Sequence, residues 1–161
     1  MELLKKLRPY IVSVAIALTV GLLSALITKG DMAIYDEVVK PPLAPPGLLF
    51  PIVWTLLYAL MGISSARIYV IKRSEYPKES KDALAVYAMS LIVNFTWSII
   101  FFSLRAFLVA FVWLLLLLSL IIATILRYKP IDKLAAYLQI PYAVWVAFAG
   151  YLNIAIFILN P

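Results

Sequence analysis

The chain has 161 residues, 65% of them apolar and only 14% charged, with a net charge of +6. Soluble domains carry about a quarter charged residues, and a mean hydropathy of +1.02 fits a surface solvated by lipid rather than by water. With neither cysteine nor histidine, the chain is excluded from disulfide chemistry, thiolate and imidazole metal sites, cysteine nucleophiles and Ser-His-Asp hydrolysis.

Five apolar runs follow one another, over residues 11–28, 47–71, 83–104, 106–126 and 134–159. Each is near the roughly 20 residues that a helix needs to cross the hydrocarbon. Helices are required because lipid offers the backbone no hydrogen-bond partner. The expected fold is therefore all-α: an integral membrane bundle of five transmembrane helices, forming one domain over residues 1–161.

The first run has a basic lead of Lys5, Lys6 and Arg8. Its apolar stretch exceeds the 7–15 residues of a signal-peptide core and no small-x-small cleavage site follows, so it reads as a retained helix. Ser13, Ala17, Gly21, Ser24 and Thr28 form a ridge of small residues. Such a ridge lets helices approach closely, within the bundle or between subunits.

The connection 29–46 is long for a loop and carries four prolines, which stiffen it. Ile34, Tyr35, Val38 and Val39 have helical spacing. The segment predicts a short helix and a rigid strap across the bundle mouth; a surface linker is the plainer alternative.

The other runs hold the tryptophans. Trp54 lies roughly 10 Å into run two at about 1.5 Å per residue, with Trp97 and Trp113 at similar depth in runs three and four and Trp145 near the middle of run five. An aromatic belt belongs at the interface, and a deeper indole needs a partner for its N–H or a cavity to face. Trp54, Tyr58, Met61 and Ser65 share one helical face, as do Ser90, Asn94, Trp97 and Phe101, and Tyr142, Trp145, Ala149 and Asn153. Runs two, three and five together predict an outward-opening aromatic pocket with a few polar groups. The alternative is a packed aromatic core in which Asn94 and Asn153 bond between helices. Run four, apolar almost throughout, is expected to face lipid or a partner chain.

Lysine and arginine placement sets the orientation. Lys5, Lys6, Arg8, Arg67, Lys72, Arg73, Lys78, Lys81, Arg127, Lys129 and Lys133 fall on one side, and Lys29, Lys40 and Arg105 on the other. The amino terminus is expected inside and the loop 29–46 outside, with Arg67 snorkelling from one turn within its helix. No basic stripe marks a nucleic-acid surface. No carboxylate lies within a run, which disfavours ion- or proton-coupled transport.

Three motifs carry a family resemblance. Residues 40–47 (KPPLAPPG) with 50–62 (FPIVWTLLYALMG), Asn94-Phe95-Thr96-Trp97 with Phe101-Phe102, and residues 141–149 (PYAVWVAFA) with Leu152-Asn153 resemble the TspO/MBR family of tryptophan-rich sensory and translocator proteins, the peripheral benzodiazepine receptors, over nearly the whole chain. The resemblance implies a five-helix bundle, often a homodimer, in a membrane that the short tail-less form makes prokaryotic. It also implies a pocket for porphyrins such as protoporphyrin IX and haem, sterols in some members, and drug-like ligands, with no cofactor or metal required. By motif, Trp54, Asn94, Trp145 and Ala149 fall on pocket positions, and Tyr35 and Lys40-Pro41 on the lid loop. Pro45, Tyr58, Trp97 and Tyr142 complete the expected ligand-binding set. The chain departs from the family in having Ile34-Tyr35 for a Trp-Tyr pair and in lacking the animal sterol motif. Without histidine or cysteine, strong axial ligation of haem iron is not expected. The main alternatives are light-dependent porphyrin degradation with Trp54 and Trp145 as the catalytic candidates, a small-solute transporter, and a signalling module recognised through its loops.

Overall fold

The computed structural model describes residues 2–161, and all their side chains except those of residues 2, 3, 71 and 72. The side chain of Lys72, counted above among the inner cations, thus lies outside the described residues. All regular structure among the described residues is helical: α1 (Glu2–Thr28), α2 (Ile34–Glu37), α3 (Leu49–Arg67), α4 (Pro77–Ser98), α5 (Phe107–Tyr128), α6 (Lys133–Leu138) and α7 (Ile140–Leu159). Five spans are long and apolar enough to cross a membrane, α6 and α7 together forming the last.

Local chemistry sets the breaks. Pro77 opens α4 in its first turn, where the missing N–H costs nothing. Run five is expected to be continuous, but the structure divides it at Gln139. Pro141 has no N–H to offer the preceding turn, and the Gln139 N–H bonds back to Ala136 O instead (3.1 Å). α3 and α4 each end in a π-helical turn, Ile68–Lys72 and Ile99–Ser103. The second closes with Leu104 N–H on Ile99 O (3.0 Å) and stops at Arg105, whose φ of 52° takes the chain out of the helix.

The helices form a ring in the order α1, α4, α5, α7, α3, with α6 packed on α3. The small ridge of α1 faces inward, with Ala17, Ser24 and Thr28 buried, so it serves packing within the bundle. Close approach has a definite site: a Cβ on Gly62 of α3 would lie 2.5 Å from Val14 Cα of α1, so the two backbones touch there. Run four, expected to face lipid or a partner chain, leaves only one side free to do so. Leu114, Leu117 and Ile121 are buried while Leu115, Leu116 and Ile122 are exposed, the stripe that a 3.6-residue period imposes on a helix with one packed side. Trp113 is on the same helix. Its indole N–H bonds to Val93 O (3.1 Å) and Thr96 Oγ1 (2.9 Å) and joins α5 to α4.

At the end of the bundle away from the 29–48 segment, the Arg67 head group has a partner. Its Nε and Nη2 both meet Asp132 Oδ2 at 2.8 Å, because Asp132 is fixed beside it as the N-cap of α6. The other carboxylate oxygen accepts from Leu134 N (2.9 Å) and Ala135 N (3.4 Å). Ser64 Oγ donates to Ala135 O (2.7 Å) and accepts from Gln139 Nε2 (3.1 Å). This buried polar lock fixes the second span against the fifth.

Candidate ligand-binding site

In the other half of the bundle, next to the 29–48 strap, lies a cavity of about 580 Å³ bounded by α1, α3 and α4. That is within the roughly 300–1,000 Å³ of small-molecule sites. α3 contributes Phe50, Trp54 and Tyr58, α4 contributes Asn94 and Trp97, and the π-helical turn after it contributes Phe102. Trp54 and Trp97 lie 6.4 Å apart with their planes tilted by 34°, and Trp54 and Tyr58 5.6 Å apart at 31°. The three rings thus line one aromatic wall. The π-helical turn after α4 sets Phe102 against Phe101, edge to face at 4.9 Å, and extends that wall toward the strap.

The polar groups are few and mostly paired. Asn94 Nδ2 donates to Tyr58 OH (3.1 Å). Trp97 Nε1 donates to Asn153 Oδ1 (3.3 Å), and Asn153 Nδ2 to Phe107 O (3.0 Å). The asparagines therefore do bond between helices, and they also fix two of the cavity rings. Trp54 Nε1 bonds to no other described residue, which leaves it a donor for a ligand.

Trp54, Tyr58, Asn94 and Trp97 are brought together on the cavity as their spacing implied. Tyr142, Trp145 and Ala149 are not, and the expected wall from the fifth span is corrected: the first span supplies it. Tyr142 is fully buried beneath Trp54, ring to edge at 6.1 Å. Trp145 packs between Phe50 (5.9 Å) and Phe148 (5.6 Å), and its Nε1 is buried without a partner. Ala149 is buried in the packing of α7. Large rings fill the α7 side, whereas the small ridge of α1 leaves volume on its own side. Gly21, Ser24 and Thr28, all lining the cavity, were legible in that ridge as small residues but not as the edge of a hollow.

Gly21 controls how the floor is packed. A Cβ there would overlap the Tyr58 ring. Gly21→Ala is expected to push that ring aside, break the Asn94–Tyr58 bond and weaken ligand binding about tenfold, or about 1.4 kcal/mol, within the roughly 1–3 kcal/mol that overpacking costs; a binding isotherm beside a thermal melt separates the site from the fold.

Tyr35, Lys40 and Pro45 belong to the strap and lie outside the cavity wall. The strap begins with α2, the short helix its spacing predicted. Tyr35 packs edge-on to Phe50 (5.1 Å) and donates to Pro45 O (2.7 Å), tying helix to proline segment. Lys40 sits 4.6 Å over the Tyr35 ring and pairs with Asp36 (3.2 Å). Burial, and then the neighbouring Asp36 charge, push the Tyr35 pKa up. The folded strap thus holds the proton more tightly than free tyrosine does. The Tyr35–Pro45 tie should be intact below the ordinary tyrosine pKa of about 10 and lost as pH climbs through the raised value. A thiol reagent on Ala44→Cys, half-buried in the folded strap, is expected to react at a constant intrinsic rate to about pH 10 and faster above, with Tyr35→Phe fast at all pH values.

Residues 13–159 match the sequence profile of the TspO/MBR family. The chain is 36% identical over 149 residues to "Tryptophan-rich protein TspO" of Chlorobaculum tepidum, covering 92% of this chain and 93% of that protein. It is 37% identical over 144 residues to "Protein CrtK" of Rhodobacter capsulatus (88% and 86%), and 36% identical over 134 residues to "Translocator protein" of Bos taurus (83% and 79%).

Proposed function

The chain belongs to the TspO/MBR family, and from that premise we propose that it is a membrane receptor or carrier that holds a flat, apolar, aromatic ligand of the porphyrin type between Trp54, Tyr58 and Trp97. Relatives named as translocator and sensory proteins support a transport or sensing role in the bilayer. The observation that carries the ligand reading is the wall of three mutually tilted aromatic rings on a cavity of about 580 Å³. A planar macrocycle stacks on such faces, and the unpaired Trp54 N–H offers it one hydrogen bond. The charge asymmetry, with eleven cations on one side and three on the other, supports a strap facing outside.

The residues fit the macrocycle better than they fit its metal. The chain has no histidine or cysteine, the usual strong axial ligands of haem iron together with methionine and tyrosine. Of the last two, Tyr58 and Met32 line the cavity; the Tyr58 hydroxyl is engaged by Asn94 and Met32 lies at the strap end. Binding therefore rests on ring stacking.

Titrating the protein in lipid nanodiscs with metal-free protoporphyrin IX and with haem is expected to quench tryptophan emission saturably. The metal-free ring should bind at least as tightly, and haem should give no six-coordinate spectrum. Absence of saturable quenching by either ring would overturn the reading; a six-coordinate spectrum would overturn binding by stacking alone. The porphyrin-degrading alternative would draw on Trp54 and Trp97 rather than Trp145, since those two indoles line the cavity.

A further inference from the structure

The cavity has a second wall unlike the aromatic one. Ala15, Thr19 and Leu22 of α1 and Pro51 and Thr55 of α3 line it, and all five are exposed on the side of the bundle, Leu22 to 61%. They lie within membrane-crossing spans, so the surface they present is the surface that acyl chains touch. Geometry explains the opening. α1 and α3 touch at Val14 and Gly62, and the cavity begins at the next residue of α1, Ala15, on the strap side of that contact.

The end of the bundle is, by contrast, strapped down. Ser103 Oγ donates to Asp31 Oδ2 (2.6 Å) and Tyr151 OH to Pro42 O (2.8 Å). Asn160 grips the strap backbone from both sides, accepting from Val39 N (2.9 Å) and donating to Val39 O (3.1 Å). A ligand arriving from water at that end would have to break several of these bonds. One arriving from the side breaks none.

The cations near the strap sort themselves as well. Lys40 is held by Asp36 and Tyr35, and Arg105 faces Glu37 at 3.9 Å. Lys29 has no ionic partner among the described residues, and it directly follows the cavity-lining Thr28 at the end of α1.

We propose that the cavity fills from the bilayer, through a portal between α1 and α3, with a membrane-dissolved amphiphile whose apolar body lies against Trp54 and whose anionic group meets Lys29 at the interface. The portal stands on geometry alone; the choice of protoporphyrin IX as probe rests on the porphyrin reading above. The chemistry is that of an apolar ring or chain bearing a carboxylate. Such a molecule partitions into the bilayer first, with its charge at the level of the headgroups, and moves sideways into the site. Charge-assisted bonds to a carboxylate are roughly twice as strong as neutral ones, so Lys29 selects acids over their esters.

The chain has no cysteine, so Thr55→Cys can be labelled alone. In vesicles of phosphatidylcholine brominated along its acyl chains, tryptophan emission is expected to fall, and a bulky maleimide on Thr55→Cys to restore part of it; the unlabelled variant serves as the folding control. When protoporphyrin IX is delivered from donor vesicles, the label is expected to slow association about tenfold, within the range by which association rates vary among variants of one site. An Asp31→Cys/Ser103→Cys disulfide across the strap should leave the rate within about twofold of the parent. Lys29→Gln is expected to weaken the diacid severalfold and to leave its dimethyl ester unchanged. A disulfide that slows binding, with a label that does not, overturns the portal in favour of the strapped mouth. Failure of the label to protect from brominated lipid overturns it too, whether because the flank is sealed or because a second copy covers it. Protection without any porphyrin binding leaves the portal standing and refutes the ligand reading instead. Equal loss of diacid and ester in Lys29→Gln refutes the anionic contact.

Discussion

Asp132→Ala is expected to destabilise the bundle by about 3–5 kcal/mol, the range for removing one partner of a buried ion pair. Two separate losses combine. Arg67 keeps its charge with only 26% of its side chain exposed, and both nitrogens that faced Asp132 Oδ2 lose their acceptor. α6 loses its N-cap bonds to Leu134 and Ala135, worth about 1 kcal/mol by themselves. The partial exposure of Arg67 lets water recover part of the first loss and moves the total toward the lower end. Two further variants divide the effect. Asp132→Asn keeps an oxygen for the cap but not the charge, so it should fall between wild type and alanine. Arg67→Lys keeps the charge but not the fork that places two donors on one oxygen. The check is reversible unfolding in mixed micelles, followed by helical circular dichroism, for both singles and the Arg67→Met/Asp132→Ala double. A double variant more stable than Asp132→Ala alone identifies the stranded guanidinium as the main cost. A change below about 1 kcal/mol in Asp132→Ala would mean that the lock is ornamental.

The pair also shows where sequence reasoning stops. Arg67 and Asp132 lie 65 positions apart. Nothing local to either announces the other, so an arginine one turn inside an apolar run reads as a snorkelling residue. The spans themselves were legible because hydropathy is summed over some twenty positions and tolerates local irregularity. The buried faces were legible too: Tyr58, Met61 and Ser65, and likewise Ser90, Asn94, Trp97 and Phe101, are buried as their spacing required. The hollow itself was not. Trp54 and Trp145 sit in similar patterns, each with a tyrosine and a polar residue on its face, but only the neighbours decide which one borders empty space. Phe50 and Phe148 close around Trp145. Gly21 and its small neighbours on α1 leave space beside Trp54. A cavity is made by side chains that are absent, and a ridge of small residues looks the same whether a helix or a void stands opposite. Pro141 was visible throughout, yet the division of the last span needed the knowledge that Gln139 bonds back to Ala136.

Trp54→Ala is expected to weaken protoporphyrin IX by about 2 kcal/mol or more, roughly 30-fold, as for a tryptophan that anchors an interface. The loss has two sources. The ring is the middle member of the aromatic wall, in contact with both Tyr58 and Trp97, and its removal separates the faces on which a macrocycle would stack. Its N–H is also, among the described residues, the one indole donor on the cavity with no partner, since Trp97 is bonded to Asn153. Trp54→Phe restores a face without the donor and should recover most of the affinity. Trp145→Ala supplies the contrast. It opens a gap between Phe50 and Phe148 and is expected to lower the melting temperature, because large-to-small changes at packed positions cost about 3–5 kcal/mol for an aromatic residue. Its effect on affinity should stay within about threefold, as Trp145 does not line the cavity and packs against Phe50, which does. Trp97→Ala is the less informative variant, since it also strands Asn153 Oδ1 and loosens α4 from α7. Isothermal titration in nanodiscs, run beside thermal melts of the same samples, reads both quantities. If Trp145→Ala costs as much affinity as Trp54→Ala at matched stability, the ligand lies against the fifth span after all, and the cavity beside α1 is not where it binds.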